Sequence, residues 1–206
     1  VVFAADGLVC FPNELVDAVE QRYLKEKNPA GITSKRAAGM GNWGDAGEAH
    51  WCHDGMITRA INSYMSVCPP LCKRVEDNKI EGYMFPLGPI MQLFHEIGRG
   101  MPGMLSKIGL GTFMDARNGG GKLNQLTAEQ GEDLVKYIPD FEGEDYLWYT
   151  LPKLNVAFLR ASSADPHGNI SIDKEAEEIE VLSVAQAVKS SGGIVICQVD
   201  ELVELH

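Results

Sequence analysis

The last thirty or so residues restrict the fold most. Val181, Val184, Ala185 and Val188 recur at helical spacing, Gly192-Gly193 interrupts them, and Ile194-Val195-Ile196-Cys197 follows as an unbroken apolar run. The stripe predicts a helix with one buried face, and the glycine pair predicts its stop. The apolar run predicts a parallel strand covered on both faces. A helix that feeds such a strand belongs to a layered α/β architecture, in which a parallel sheet is flanked by helices.

The rest of the chain is consistent with that frame. Val1 to Ala5 reads as a strand that turns at Asp6-Gly7. After Pro12, Leu15, Val16, Val19 and Tyr23 mark one face of a helix. Residues 37–55 are glycine-rich and read as a loop with a helical turn near Glu48–Cys52. Met56–Ile61 reads as a strand, Pro69-Pro70 opens a helix to about Asn78, and Glu81–Phe85 is again a strand. Pro86-Leu87-Gly88 turns into a helix reaching Ile97, and a long loop runs from Gly98 to Leu126. Thr127 with Gln130 predicts a capping box for a helix to Tyr137. Tyr146–Thr150 and Val156–Arg160 read as strands. The expectation is one α/β domain over residues 1–206, with a mostly parallel open sheet flanked by helices. In such sheets ligands bind at the carboxyl ends of the strands. The opening without methionine, inside a strand, and the close at Leu205-His206 predict a segment truncated at both ends.

Charge and composition narrow the function. With 29 acidic and 18 basic residues the chain carries −11, which repels phosphate backbones and argues against a nucleic-acid partner. No apolar stretch approaches the ~18 residues of a membrane span. Five cysteines without a framework spacing read as reduced thiols in a cytoplasmic protein.

The stretch from Gly109 to Asn124, GLGTFMDARNGGGKLN, carries the most chemistry. Three consecutive glycines are entropically costly to order, and they suit a backbone that must approach something closely or take positive φ. Flanking Arg117 and Lys122 make the loop the best anion-binding candidate in an acidic chain. Read from the residues alone, it is equally a flexible surface loop. It is not a Walker loop, because the spacing is wrong and no Ser or Thr follows Lys122.

This loop closely resembles that of propionate (lactate) CoA-transferases and their 3-ketoacid relatives. Four further segments match in the same order: GEAHWCHDGM at Gly47–Met56, the Pro86–Ile97 turn and helix, RASSADPHGNISIDKE at Arg160–Glu175, and AQAVKSSGGIVICQV at Ala185–Val199. The resemblance implies the amino-terminal half of a family I CoA-transferase and a ping-pong reaction. A glutamate carboxylate attacks an acyl-CoA thioester, giving an acyl-glutamyl anhydride and CoA thiolate. The thiolate then returns to form a glutamyl-CoA thioester and release the first acid, and a second acid takes the CoA. In the family that glutamate lies in the carboxyl-terminal half. Glu142-Gly143-Glu144 has similar letters, but it sits where the family has ordinary surface between a helix and a strand, so no catalytic residue is assigned. The expected substrate-binding residues are Leu87, Gly88, Gly109, Gly111, Thr112, Arg117, Gly119, Gly120, Gly121 and Lys122. The implied partners are a carboxyl-terminal half, fused or separate, acyl-CoA and carboxylic acids, and further copies of the chain. Coenzyme A is substrate, and no cofactor is expected.

The chain departs from the family pattern at pocket positions. Ala4-Ala5-Asp6 replaces a Gly-Gly-Phe turn, Leu87 a glutamine, His95 an arginine, and Ser63-Tyr64-Met65 a Gly-His-Trp segment. Either the acyl group is larger and less polar than acetoacetate, or the chain has drifted from CoA transfer. A sugar-phosphate isomerase or deaminase on the same fold and a non-catalytic acyl-CoA-binding module are the alternatives. His50, Cys52 and His53 with Cys68 and Cys72 lack the usual zinc spacings, so no metal is expected. Asp165-Pro166-His167-Gly168-Asn169 reads as a turn and not as part of a serine triad.

Overall fold

A computed structural model of the chain describes residues 2–5, 10–177 and 180–204. Asp6 of the opening turn lies outside the described residues. The first half alternates strands and helices. These are β1 (Val2–Ala5), α1 (Asn13–Glu26), β2 (Ile32–Arg36), β3 (Ile57–Asn62), α2 (Pro69–Glu76), β4 (Glu81–Met84) and α3 (Leu87–Gly98). Next come β5 (Met104–Ser106), α4 (Gln125–Gln130), β6 (Val135–Phe141), β7 (Glu144–Tyr149), β8 (Val156–Ala164), β9 (Ile170–Ser171), α5 (Val181–Ser190) and β10 (Ile194–Leu202). Two 3-10 turns cover Gly47–Trp51 and Ala116–Asn118.

The main sheet has the order β10-β8-β1-β2-β3-β4, with every neighbouring pair parallel, and β9 lies antiparallel beside the end of β8. Strand β8 shows how the sheet separates two cores. Ala157 and Leu159 point to one that holds Phe94 of α3 and Val184 of α5. Val156 and Phe158 point to the other, with Val16 of α1 and Leu71 of α2. This is the α/β fold with a mostly parallel sheet expected from the sequence. A second, antiparallel sheet of order β5-β7-β6 stands beside it.

Three elements differ from the reading of the sequence. Strand β2 had no apolar pattern to reveal it, because Ser34, Lys35 and Arg36 are polar and yet fully buried. The helix expected from Thr127 to Tyr137 is the short α4, which ends at Gln130. Its cap is Asn124, whose side chain accepts the Thr127 N–H at 2.9 Å, while the Thr127 hydroxyl accepts the Gly82 N–H of β4 at 2.8 Å. Gly131 ends it, where a Cβ would fall 2.3 Å from the Tyr83 hydroxyl, and the chain runs on into β6. Finally, β10 is the outermost strand of the sheet. Ile194 is 58% exposed and Ile196 38%, so one of its faces is bare and not covered as expected.

The Asp165 segment is the expected turn. The Asp165 carboxylate accepts the backbone N–H groups of His167 and Asn169, both at 2.9 Å, and the hairpin from β8 to β9 closes around it. Ser162 accepts the Lys174 N–H at 2.9 Å. Asp165 thus accepts the His167 amide, as a turn of this composition does.

Candidate functional site

The glycine loop is attached to the outer edge of the main sheet. Met84 donates its N–H to Gly121 and Leu123 donates to Gly82, both at 2.9 Å, and Tyr83 and Lys122 form an antiparallel bridge. Gly119, Gly120 and Gly121 have φ of 119°, 62° and 77°, conformations that suit glycine. At Gly121 the space also requires it, since a Cβ would lie 2.7 Å from the Met84 carbonyl oxygen.

Asp115 organises the turn that precedes these glycines. Its side chain is buried and accepts the N–H groups of Gly111 at 2.9 Å and Arg117 at 3.0 Å. The Arg117 guanidinium grips both carboxylate oxygens, Nε to Oδ1 at 2.9 Å and Nη2 to Oδ2 at 2.6 Å. That guanidinium, helped by the two amides and opposed by burial, holds the Asp115 carboxyl well below the usual carboxylate range. Arg117 also lies over the Tyr137 ring, 3.7 Å from its centroid. Lys122 pairs with Asp133 at 2.7 Å and donates to the Gly131 carbonyl at 3.2 Å. Both cations of the loop thus already face a carboxylate of the same chain.

The structure separates the ten expected residues. Leu87, Gly109 and Thr112 line a cleft of about 560 Å³ beyond the carboxyl ends of β3 and β4. Its walls are mostly apolar, with Tyr64, Phe85, Ile108, Phe113 and Met114 among them. Gly119, Gly120 and Lys122 face a different depression of about 520 Å³, shared with Asp133, Val135 and Lys136. Gly88, Gly111, Arg117 and Gly121 line neither. Of the departures from the family pattern, Leu87, Ser63 and Tyr64 line the cleft, whereas His95 is exposed on α3. Phe113 and Ile108 were not singled out from sequence. The available signal was their place beside glycines in a loop, with Phe113 52% and Ile108 48% exposed.

A buried polar cluster fixes the far wall. Glu48, in the Gly47–Trp51 turn, accepts a hydrogen bond from the Ser34 hydroxyl and one from Asn62 Nδ2 at 3.1 Å. Its Oε1 lies 3.1 Å from Arg36 Nε, and the Arg36 guanidinium sits 5.4 Å from the centre of the Trp51 ring. All four polar side chains are fully buried. They tie the ends of β2 and β3 to one turn, and the Ser63 hydroxyl adds a bond to the Ala37 carbonyl. Ala38, Ser63 and Tyr64 at the cleft rim are held in place by these contacts.

The chain matches the family model described as Coenzyme A transferase over residues 7–206. It belongs to the coenzyme A transferase family. It is 39% identical over 197 residues to the caffeate CoA-transferase of Acetobacterium woodii, covering 96% of this chain and 37% of that protein. It is 32% identical over 203 residues to the acetate CoA-transferase YdiF of Escherichia coli K12, covering 98% of this chain and 38% of that protein. The crystal structure of the acyl-CoA transferase YdiF apoenzyme from Escherichia coli O157:H7 superimposes with a TM-score of 0.92 at 30% identity, over 98% of this chain and 39% of that one. The chain therefore spans less than two-fifths of the length of these CoA-transferases. In this member Glu142-Gly143-Glu144 is the exposed tip between β6 and β7, a hairpin and not the helix-to-strand passage expected. Among the described residues no helix is long and apolar enough to cross a membrane.

Proposed function

We propose that the chain forms the acyl-binding wall of a CoA-transferase of the propionate/3-ketoacid type, one that moves CoA between an acyl-CoA thioester and a free carboxylic acid. The attacking glutamate is supplied from outside these 206 residues. The reaction passes through an acyl-glutamyl anhydride and a glutamyl-CoA thioester, with CoA as substrate and no further cofactor. The remaining part of the enzyme, fused or separate, closes the site, and this chain alone gives no turnover. The whole works in the cytoplasm as an oligomer, and the five free cysteines suit a reducing compartment.

The observation that carries this reading is the cleft beside Leu87, Tyr64 and Phe113. Its volume of about 560 Å³ is within the range of small-ligand sites. Its apolar walls offer little to a polar acyl chain, whereas burying apolar acyl surface gains ~25 cal/mol per Å². An apolar medium, branched or aromatic acyl group is the matching substrate. A relative named for caffeate, at 39% identity, is in keeping with an aromatic acyl chain. The phosphate-sugar alternative loses its main support, because Arg117 and Lys122 are each neutralised by a carboxylate of their own chain.

The test is CoA exchange between two acids by the intact protein, followed across an acyl-CoA series. Ping-pong kinetics and a preference for aromatic or branched acyl-CoA are expected. Borohydride reduction of the acylated enzyme should mark a glutamate outside residues 1–206. A profile that peaks at acetoacetyl-CoA would refute the acyl assignment, and absence of exchange would refute the activity.

A further inference from the structure

Away from the cleft, α1 and the Gly47–Trp51 turn bring two carboxylates and two imidazoles together. Asp17 and Glu20 are three residues apart on α1 and so share a face. His50 and His53 are likewise three apart, in the turn and just beyond it. Glu20 Oε2 lies 2.6 Å from His50 Nδ1, and its Oε1 lies 2.5 Å from His53 Nε2. Asp17 Oδ1 is 3.9 Å from His50 Nδ1. One ligand atom from each of Asp17, Glu20 and His50 falls within 4.8 Å of the others. Glu20 is the most enclosed of the group, its side chain 14% exposed.

The charge of this group is incomplete. Among the described residues, the ion pairs to Asp17 and Glu20 come from histidine alone, and a histidine supplies charge only when protonated. No lysine or arginine among the described residues pairs with either carboxylate, and one divalent cation would bind both. The donor set is mixed nitrogen and oxygen, which suits zinc and its first-row neighbours better than calcium or magnesium. The cysteine between the two histidines is not part of it, since Cys52 donates towards the Glu48 carbonyl at 3.4 Å. The ligand set therefore differs from the His/Cys arrangement weighed from sequence.

We propose that Asp17, Glu20 and His50 form a site for one divalent transition-metal ion of the zinc type, which joins α1 to the Gly47–Trp51 turn. Donors around tetrahedral zinc, at bond lengths of ~2.0–2.2 Å, stand roughly 3.3 Å apart. Glu20 Oε2 thus needs to withdraw from His50 Nδ1 by less than about 1 Å, and Asp17 Oδ1 to approach it by a similar amount, for the ion to enter. On binding the ion, His50 would offer the lone pair of Nδ1, with its proton on Nε2. The same turn carries Glu48, so the ion would also stiffen the wall beneath the cleft.

The intact protein is stripped with chelator and titrated with Zn²⁺ against a chromophoric indicator. One ion per chain is expected, with a rise in the thermal midpoint. Glu20→Gln and His50→Ala should weaken binding by about 100-fold or more, and Asp17→Asn by about tenfold. His167→Ala, on the exposed hairpin, should leave it unchanged. Co²⁺ loaded in place of zinc should show a d–d spectrum that changes in Asp17→Asn. Because Asp17 is half-exposed, its variant folds whatever happens to the buried ones, so it and the Co²⁺ spectrum decide if the others do not fold. No saturable binding at millimolar zinc would overturn the proposal. So would the same stoichiometry and affinity in wild type, Asp17→Asn and Glu20→Gln.

Discussion

Asp115 and Arg117, two residues apart, close on each other through a two-pronged contact with Nη2–Oδ2 at 2.6 Å. The pair shapes the turn before the three glycines, so the residue expected to attract an anion instead holds the loop together.

This pair fixes the sign of a pH effect. The folded carboxyl of Asp115 is held below its unfolded value, so its stabilising contribution is complete above the ordinary carboxylate range, about 4. It is lost as pH falls from there through the folded value. Asp115→Asn should lower the thermal midpoint at pH 7 by several degrees, and the gap from wild type should narrow steadily below about pH 4. Thermal melts across pH check this; a constant gap down to strong acid would contradict it.

Glu48→Ala should be among the most damaging single changes. It leaves the fully buried Arg36 without its counter-charge and strips Ser34 and Asn62 of their acceptor. Breaking a buried pair from one side costs about 3–5 kcal/mol. Urea unfolding measures it, and a loss below about 1 kcal/mol, the scale of an exposed pair, would show that the cluster is not under strict charge balance.

Selectivity should depend on Leu87 and Phe113. Leu87→Gln gives the cleft wall a hydrogen-bonding amide, and Phe113→Ala removes a half-exposed ring that contributes little to the core. Each should reduce kcat/KM for an aromatic acyl-CoA by about 10-fold or more, the scale of about 1–3 kcal/mol of lost apolar contact. The value for acetoacetyl-CoA should fall less or rise. Equal losses on both substrates would place these residues outside the acyl site.

Two loop glycines should behave differently. Gly111→Ala meets no atom within 4 Å and bears only the cost of a φ of 73°, about 1–2 kcal/mol. Gly121→Ala adds a clash 2.7 Å from the Met84 carbonyl and 2.8 Å from Met114 Sδ, which pushes the loop off β4. Hydrogen exchange at the Met84 and Leu123 amides should accelerate strongly in the second variant and hardly in the first.

Sequence and structure agree where apolar pattern and glycine punctuation determine the element, as in the Val181–Val188 stripe, its Gly192 stop and the existence of a strand after it, though not that strand's burial. They part where polar residues are buried. Ser34 and Lys35 find acceptors in Glu48 and Pro152, and Arg36 a counter-charge in Glu48 and the Trp51 ring beside it, although its guanidinium nitrogens make no hydrogen bond; those partners are distant in sequence. Asn124 is masked as the cap because Thr127 and Gln130 offer a plausible box three residues later. At the site, three consecutive glycines between Arg117 and Lys122 mark the loop from composition alone. That Arg117 and Lys122 were already paired with Asp115 and Asp133 depends on the loop's path, which no spacing rule conveys.

Strand β10 has a practical consequence for anyone handling these 206 residues. Its outer side is unpaired among the described residues, and Ile194, Ile196 and Leu202 present oily surface along it. The outward-facing amides and carbonyls of this nine-residue edge strand offer a template to any extended peptide that drifts alongside. Prepared in isolation, the polypeptide should form concentration-dependent clumps that a lysine placed at Ile196 would disperse.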